Sequence, residues 1–253
     1  MNLFDVAGKK AIVTGASRGL GRGIAEGYMK AGVETVLVAT TERIEEAAAG
    51  YRADGFKCHG VAADLGKEDE RVSAFGKAVA MLDGGLDILV NSAGTQRRHK
   101  SEEFPLEDWD IVLNVNLTAT FRMCQLAAQV MLKNGGGKII NLASLLSFFG
   151  GFTVPAYAAS KGGVAQLTKA LCNEWAGRGI NVNALAPGYM ATDMNVALMD
   201  TASPRCKEIT ERISAHRWGS PEDLQGVAIF LASRASDYVN GAVIPVDGGY
   251  LAR

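Results

Sequence analysis

The sequence of 253 residues contains few cysteines and histidines, and neither type is grouped along the chain. The four cysteines and three histidines form no CxxC pair and no zinc-ligand spacing, so we expect neither a disulfide framework nor a metal site. No apolar run approaches the roughly 18 residues that span a bilayer, and the first residues do not resemble a signal peptide. We therefore expect a cytoplasmic protein with free thiols and no membrane partner.

An excess of positive charge is also missing. Lys and Arg number 26 against 27 Asp and Glu, which gives a formal net charge of -1. A nucleic-acid partner is not expected, because neutralising its phosphates needs a surplus of basic residues. Apolar residues make up 48% of the chain, which is enough for a folded core and excludes a disordered chain.

Short apolar runs alternate with longer segments of helical length. The seven runs are 11–13, 36–38, 60–62, 88–90, 139–140, 180–182 and 243–244. Such runs are typical of parallel strands that are buried on both faces of a sheet. The windows that predict crossover helices include 20–31, 68–82, 108–132, 156–176 and 221–232. The pattern predicts an α/β fold with one doubly wound, mostly parallel seven-stranded sheet and helices on both faces, of the Rossmann type.

The chain shows no break that would divide it into domains. No linker rich in Pro, Gly and Ser is present, so residues 1–253 are expected to form a single domain. Residues 190–214 lie between two sheet-associated segments and are predicted to be a helical lid over a substrate. The windows 108–132 and 156–176 are apolar beyond one stripe, which indicates burial of a second face in an oligomer.

A glycine-rich turn follows the first predicted strand, and a helix begins directly after it. Its glycines have the spacing Gly-x3-Gly-x-Gly. Glycines there permit a tight turn and a close approach of the backbone, while the free N–H groups of the helix N-terminus favour an anion. The turn therefore predicts a pyrophosphate site for a dinucleotide. The residues expected at the cofactor are Gly15, Ser17, Arg18, Gly19, Leu20 and Gly21.

The end of the second predicted strand lacks the carboxylate that binds both ribose hydroxyls of NAD in such folds. Polar and basic groups near it are suited to charge-assisted hydrogen bonds with a 2′-phosphate, which favours NADP slightly over NAD. These groups are Arg18, Thr40, Thr41 and Arg43. Glu42 lies one or two positions beyond the strand, so NAD stays open. A solvated helix start at residues 42–43 is the structural alternative.

Three further residues have the chemistry of proton transfer. Ser144 follows the fifth predicted strand, while Tyr157 and Lys161 lie four residues apart and therefore on one helix face. A phenol with an ordinary pKa of about 10 is a poor acid–base group at neutral pH. The Lys161 ammonium is expected to lower the pKa of Tyr157. Ser144 is expected to hydrogen-bond the reacting oxygen of a substrate.

These residues belong to a larger set of motifs that resembles the short-chain dehydrogenase/reductase family. The set keeps the family's order over essentially the whole chain and comprises 14–21, 91–94, Asn116, Ser144, Tyr157, Lys161 and 187–188. The resemblance implies a homotetrameric NAD(P)-dependent oxidoreductase that interconverts a secondary alcohol and a ketone. Ser92 departs from the family's usual second Asn, and we expect little effect because a small polar residue fits the turn.

The same resemblance implies roles for individual residues. Tyr157 would be the acid–base, Lys161 would bind the nicotinamide ribose, and Ser144 would hold the substrate oxygen. Asn116 would support a water that relays protons. The other residues implied at the cofactor are Asp64, Leu65, Asn91, Ala93, Gly94, Tyr157, Lys161, Pro187, Gly188, Met190 and Thr192. A regulatory protein that binds the cofactor without chemistry is the alternative, and the presence of all three catalytic residues disfavours it.

Segments outside the shared motifs resemble one group within that family, the 2-dehydro-3-deoxy-D-gluconate 5-dehydrogenases, also named 2-deoxy-D-gluconate 3-dehydrogenases. These segments are 95–98, 145–151, 173–176, 217–219 and 247–253. The resemblance implies reversible oxidation of a secondary alcohol on a deoxy or keto sugar acid. Gluconate 5-dehydrogenases and 3-oxoacyl-type ketone reductases of the same fold are the alternatives.

A sugar acid needs a cation for its carboxylate and polar partners for its hydroxyls. Arg97 and Arg98 follow the fourth predicted strand, at the sheet edge where ligands bind, and arginine suits bidentate carboxylate binding. A solvated loop is the alternative for both. The predicted hydroxyl partners are Gln96, His99 and Ser147. Whether Arg253 reaches a neighbouring subunit stays open.

Overall fold

The computed structural model describes residues 2–253, apart from the side chain of Ala197. The strands are β1 Lys10–Thr14, β2 Glu34–Ala39, β3 Cys58–Ala62, β4 Ile88–Asn91, β5 Gly137–Leu142, β6 Ile180–Pro187 and β7 Val243–Val246. Within residues 2–253 they form one seven-stranded sheet in the order β3-β2-β1-β4-β5-β6-β7. All neighbouring strands are parallel, so the predicted doubly wound α/β fold is confirmed and the sheet is wholly parallel.

The apolar runs of the strands are buried because they supply two cores at once. In β1, Ile12 packs into one hydrophobic cluster and its neighbour Val13 into the cluster on the other face. Leu89 and Val90 of β4 divide between the two clusters in the same way. Alternate side chains of a strand point to opposite faces, so a strand that is covered on both faces needs an uninterrupted apolar run.

Helices cover both faces of the sheet. They are α1 Gly19–Lys30, α2 Arg43–Ala53, α3 Glu68–Met81, α4 Leu106–Leu113, α5 Ala119–Met131, α6 Pro155–Trp175, α7 Pro204–Arg212 and α8 Gln225–Ala232. Ile24 of α1 and Ala228 of α8 pack on one face, and Phe75 of α3 and Met123 of α5 on the other. Within residues 2–253, no helix combines the length and the hydropathy needed to cross a membrane.

The helix predicted at 108–132 is interrupted. Helix α4 ends at Leu113 and α5 begins at Ala119, and the residues between them form a π-helical turn, Asn114–Thr118. Such turns are rare and often occur at functional sites. This one carries Asn116, whose side chain is fully buried. The periodicity of the sequence does not reveal the interruption, because apolar residues continue through it.

The strand order places the ends of β1 and β4 at a crevice. From β1 the chain continues to β2 and β3 on one side, and it returns to β4 on the other side of β1. Thr14 at the end of β1 pairs with Asn91 at the end of β4. Open parallel sheets bind ligands at the carboxyl ends of their strands, where the order reverses. The glycine-rich turn leaves β1 at this position.

Residues 190–214 leave the sheet after β6 and form two short helical segments. The first is a 3₁₀ helix, Asp193–Leu198, and the second is α7. Ser203 caps α7, because its hydroxyl accepts the N–H of Arg205 at 3.3 Å. The segment predicted as a lid is therefore helical in part, and it lies next to the crevice in the chain's path.

Candidate active site

A cavity of about 1280 Å³ lies along the carboxyl ends of the strands. Most of the predicted site residues line it, namely Gly15, Ser17, Arg18, Gly19, Leu20, Gly21, Thr40, Asp64, Leu65, Ala93, Gly94, Gln96, Arg97, Arg98, Ser144, Tyr157, Lys161, Pro187, Gly188, Met190 and Thr192. The predicted residues that are not on its wall are Thr41, Arg43, Asn91, His99, Asn116 and Ser147. The cavity therefore unites the glycine-rich turn with the proposed proton-transfer residues.

The glycines of the first turn have two functions: two of them allow close packing of the backbone, and one leaves space for a ligand. Gly15 has a φ of +66°, and a Cβ there would lie 2.8 Å from the backbone of Ala93. A Cβ on Gly21 would collide with the carbonyl oxygen of Gly15. A Cβ on Gly19 would instead point towards Thr192, at 3.6 Å. Two glycines thus hold the turn against its neighbours, and Gly19 leaves the cavity open to a ligand.

The first turn of α1 fits the pyrophosphate of a dinucleotide. It carries no acidic side chain, and Arg18 at the N-cap position makes no side-chain cap. The N–H groups at the start of a helix have no partner within the helix, and together with the helix dipole they attract an anion. Since Gly19 leaves space in front of these groups, the turn can hold NAD or NADP.

Thr14 organises the cofactor crevice from the end of β1. Its hydroxyl accepts the N–H groups of Ser92 and Ala93, each at 3.1 Å. The side chain of Asn91 turns away from the cavity, where it donates to Asn141 at 2.9 Å and to the sulfur of Cys124 at 3.2 Å. Asn91 was predicted at the cofactor, but its amide contributes to a buried network beneath the crevice. This use of Thr14 is not predicted by the sequence.

At the end of β2, two of the four residues predicted for a 2′-phosphate line the cavity. They are Arg18 and Thr40, whereas Thr41 and Arg43 are exposed and away from its wall. Arg18 forms an ion pair with Asp193 of the 190–214 segment at 3.5 Å, with both side chains more than two-thirds exposed (76% and 72%). An exposed pair of this kind is weak, so Arg18 is available to a stronger anion.

Ser144, Tyr157 and Lys161 meet on the cavity wall. The Lys161 Nζ atom lies 5.6 Å from the centre of the Tyr157 ring and donates to the carbonyl oxygen of Leu142 at 2.5 Å. Burial raises the pKa of the Tyr157 phenol, and a hydrogen bond with Ser144 acts in the opposite direction. Burial also lowers the pKa of Lys161 to about 8.

The direction of the Tyr157 shift is opposite to the one expected from the sequence. The Lys161 ammonium donates to a backbone carbonyl and lies over the Tyr157 ring, so its attraction does not offset the desolvation of a phenolate. The neutral phenol is therefore favoured near neutral pH in this structure. A neutral phenol is a proton donor, which suits reduction of a ketone.

Asn116 supports the site from behind the wall. Its Nδ2 donates to the carbonyl oxygen of Thr95 and to the Ser160 hydroxyl, both at 3.0 Å, and its Oδ1 accepts the N–H of Thr95 at 2.8 Å. The Ser160 hydroxyl in turn donates to the carbonyl oxygen of Tyr157 at 2.8 Å. The amide is fully used by these contacts, so Asn116 ties the loop after β4 to helix α6.

Ser147 is a second link to α6 rather than a substrate contact. Its hydroxyl donates to the carbonyl oxygen of Lys161 at 2.7 Å and accepts the N–H of Ser144 at 3.4 Å. It is not on the cavity wall, so the structure gives no support to its predicted role at a substrate hydroxyl. Ser147 instead fixes the position of Ser144 relative to the helix that carries Tyr157.

Asp108 of α4 changes the interpretation of the basic loop after β4. Its carboxylate accepts from Arg97 at 3.1 Å and contacts the His99 ring at 2.6 Å. Arg97 is therefore already paired, and His99 is not on the cavity wall. The amide of Gln96 is the partner of Arg98, at 2.9 and 3.1 Å from its guanidinium nitrogens. Neither arginine is as free for a carboxylate as the sequence suggests.

Several wall residues were missed by the sequence analysis because they belong to the 190–214 segment or to aromatic residues around it. They are Phe149, Tyr189, Asp193, Met194, Asn195, Leu198, Arg205, Arg212 and Tyr250. Arg205 and Arg212 are seven residues apart on α7, and this spacing of two helical turns was the available signal for a shared face. The terminal Arg253 donates to the carbonyl oxygen of Glu211 of its own chain at 3.0 Å.

Comparison with known proteins agrees with this geometry. The sequence matches the family model of the short chain dehydrogenases over residues 9–203. A 2-dehydro-3-deoxy-D-gluconate 5-dehydrogenase from Dickeya dadantii is 49% identical, with 100% of this chain and 99% of that protein covered. A protein of the same name from Bacillus subtilis is 47% identical, with coverage of 99% and 97%.

A solved structure gives the same result. The crystal structure of a gluconate 5-dehydrogenase from Burkholderia cenocepacia in complex with NADP and tartrate is similar with a TM-score of 0.95 and 40% identity. The match covers 99% of this chain and 98% of that chain. Since the family model matches most of the chain and the relatives span its length, this protein belongs to the short-chain dehydrogenase family.

Proposed function

We propose that the protein is an NADP-dependent dehydrogenase that interconverts a secondary alcohol and a ketone on a deoxy or keto sugar acid. The observation that carries the proposal is the grouping of Ser144, Tyr157 and Lys161 in the cavity that also contains the glycine-rich turn. Alcohol oxidation needs a hydride acceptor and a proton acceptor close to one carbon, and a single cavity can position both. Relatives named 2-dehydro-3-deoxy-D-gluconate 5-dehydrogenase support the substrate type.

The roles proposed for the three residues follow from their positions. Ser144 and Tyr157 hold the reacting oxygen of the substrate between them. In reduction, the Tyr157 phenol gives its proton to the carbonyl oxygen, and burial favours this form because it raises the pKa of the phenol. In oxidation, the Tyr157 phenolate takes the hydroxyl proton, and the Lys161 ammonium stabilises that phenolate. The nicotinamide supplies the hydride donor or acceptor when it is bound.

The cavity has mixed polarity, which favours an acid over an acyl thioester. Several arginines lie on its wall, and the solved gluconate 5-dehydrogenase was crystallised with the hydroxy acid tartrate. A long acyl chain would instead need an apolar channel. Gluconate 5-dehydrogenase activity is the second candidate, because the solved neighbour has that name.

The decisive experiment offers the purified protein a panel of deoxy-keto sugar acids, gluconate-type acids and acyl thioesters with NADP(H) and NAD(H). We expect turnover of a sugar acid, seen as a change in the absorbance of the reduced nicotinamide, with NADP(H) as the better coenzyme. Turnover of thioesters alone would contradict the sugar-acid proposal. Activity with neither class would contradict the proposed reaction.

The preference for NADP is proposed to depend on Arg18. Replacing Arg18 by alanine is expected to raise the KM for NADP about 10- to 100-fold, because a charge-assisted hydrogen bond to the 2′-phosphate is lost. The KM for NAD should change little. The control is Arg22→Ala, because Arg22 points to Glu26 and Tyr51 on the outer side of α1. An equal rise of the KM for both coenzymes would contradict the proposal that Arg18 binds the 2′-phosphate.

We also infer that residues 190–214 close over the substrate and that the protein is a cytoplasmic homotetramer. The segment contributes wall residues from Met190 to Arg212.

The tetramer is inferred from exposed apolar side chains on two helices. Leu106 of α4 is 77% exposed and Phe121 of α5 is 41% exposed, and they give a face for another subunit. The four cysteines are free, which fits a reducing compartment. The mass in solution, measured by light scattering, checks the tetramer.

A further inference from the structure

Arg212 at the end of α7 is held against two aromatic rings. Its Cζ atom lies 4.3 Å from the ring centre of Tyr250 and 5.9 Å from that of Phe149. The two rings come from distant parts of the chain and lie nearly parallel, with their centres 6.0 Å apart. A guanidinium that stacks on an aromatic face is fixed in orientation while its N–H groups stay free at the edge.

The Arg212 guanidinium differs from those of the other wall arginines in its partners. Among residues 2–253, Arg212 has no ion pair and no side-chain hydrogen bond, and its guanidinium stacks on the two rings. The other wall arginines differ from it. Arg18, Arg97 and Arg205 pair with carboxylates, and Arg98 with an amide. Among the arginines on the described part of the wall, Arg212 is therefore the one that stacks on aromatic rings, and its charge also acts on the Tyr189 phenol.

The aromatic support of Arg212 is continuous with the catalytic turn. Tyr250 packs with Leu145, Ile209 and Ile213 in a small buried cluster. Leu145 follows Ser144 directly, so the cluster joins the end of α7 to the residue proposed to hold the reacting oxygen. Arg212 thus lies at the substrate end of the cavity, where its charge can act on the substrate rather than on the coenzyme phosphates.

We propose that Arg212 binds the carboxylate of the acid substrate and thereby selects acids over neutral sugars. The proposal rests on the proposed function as a sugar-acid dehydrogenase. A carboxylate accepts two parallel hydrogen bonds from a guanidinium edge, and Tyr250 and Phe149 hold that edge in place. Arg212 is thus proposed for the carboxylate contact that the sequence suggests for Arg97. Arg97 itself already forms an ion pair with Asp108.

The test compares Arg212→Met with wild type on a sugar acid and on the neutral amide of the same acid. Methionine keeps an unbranched side chain against the two rings and removes the charge. We expect kcat/KM for the acid to fall about 10- to 100-fold, mainly through KM, because a charge-assisted bidentate contact is lost. The amide should be turned over equally by both proteins, and coenzyme affinity should not change.

Two further variants sharpen the result. Lys207→Met removes an exposed charge from the same helix, away from the cavity wall, and should leave both substrates unaffected. Arg212→Lys keeps the charge but loses the planar edge, so it should restore only part of the affinity for the acid. An equal loss of acid and amide turnover in Arg212→Met would show a structural role and overturn the proposal, and so would unchanged kinetics.

Binding without turnover separates this proposal from the proposed function. Trp218 donates to the hydroxyl of Thr210 on α7 at 3.0 Å and packs on Tyr189, so its fluorescence reports on the same cluster. Gluconate is titrated against this signal in wild type and in Arg212→Met. Saturable binding that only wild type shows supports the carboxylate site even if no sugar acid is oxidised. Equal binding by the two proteins, or no binding by wild type, overturns it.

Discussion

Replacing Tyr157 by phenylalanine is expected to lower turnover by about 100- to 10,000-fold, because the positioned proton donor and acceptor is removed. The change deletes one oxygen atom and keeps the ring between Ser144 and Lys161. Coenzyme affinity should therefore be retained, and a fluorescence titration with NADPH measures it beside kcat. The loss should appear in both directions of the reaction, since the same oxygen gives the proton in one and takes it in the other.

Tyr28→Phe is the matched control for this variant. Tyr28 is fully buried, and its hydroxyl donates to the carbonyl oxygen of Ala228 at 3.1 Å, away from the cavity wall. Loss of that bond is expected to lower the free energy of unfolding by about 1 kcal/mol and to leave kcat unchanged. If Tyr157→Phe kept a turnover near that of wild type, another group would have to move the proton.

Lys161→Met is expected to lower turnover by at least about 100-fold. The variant loses the positive charge that stabilises the Tyr157 phenolate and the negative charge that develops on its oxygen in the transition state. Coenzyme affinity should also fall, since Lys161 is proposed to bind the nicotinamide ribose. The matched control is Lys138→Met, which removes another buried lysine. Lys138 pairs with Asp237 at 2.8 Å and is not on the cavity wall, so its loss should leave turnover unchanged.

The same variant has an effect on the pH dependence of stability. Burial lowers the pKa of Lys161 from its ordinary value of 10.5 to about 8, so between these values the unfolded chain holds this proton more often than the folded one. The free energy of unfolding therefore rises as the pH increases through this window. In Lys161→Met the contribution is absent, and denaturant titrations at pH values across the window should show a smaller rise. An identical rise in both proteins would contradict the lowered pKa.

The fold could be predicted because burial on both faces leaves a direct mark on the strands. Ile12 and Val13 enter different cores, so the run that contains them has no polar residue to interrupt it. The glycine-rich turn could be predicted equally well, because any side chain at Gly15 or Gly21 would collide with the backbone. Burial on both faces and the need for glycine each leave a pattern of residue types that a short stretch of sequence shows.

The parts of the site that were missed depend on contacts between distant residues. Arg97 looks like a free cation in the sequence, and only the packing of α4 brings Asp108 to its guanidinium. Ser147 looks like a polar residue near the substrate, and only the path of α6 turns its hydroxyl towards Lys161. Burial raises the pKa of Tyr157 and a hydrogen bond with Ser144 acts against it, and the spacing of Tyr157 and Lys161 contains no information on burial.

Because of the π-helical turn at Asn114–Thr118, the site depends on how many residues lie between α4 and α5 as well as on the chemistry of those residues. An α-helix advances by about 100° per residue, so removal of one residue there would allow a continuous helix from α4 to α5 and rotate one against the other by that angle. The Asn116 amide would then leave the loop and the helix that it joins, although every side chain in the cavity wall was kept. A single-codon deletion in this turn should therefore be far more damaging than most substitutions beside it.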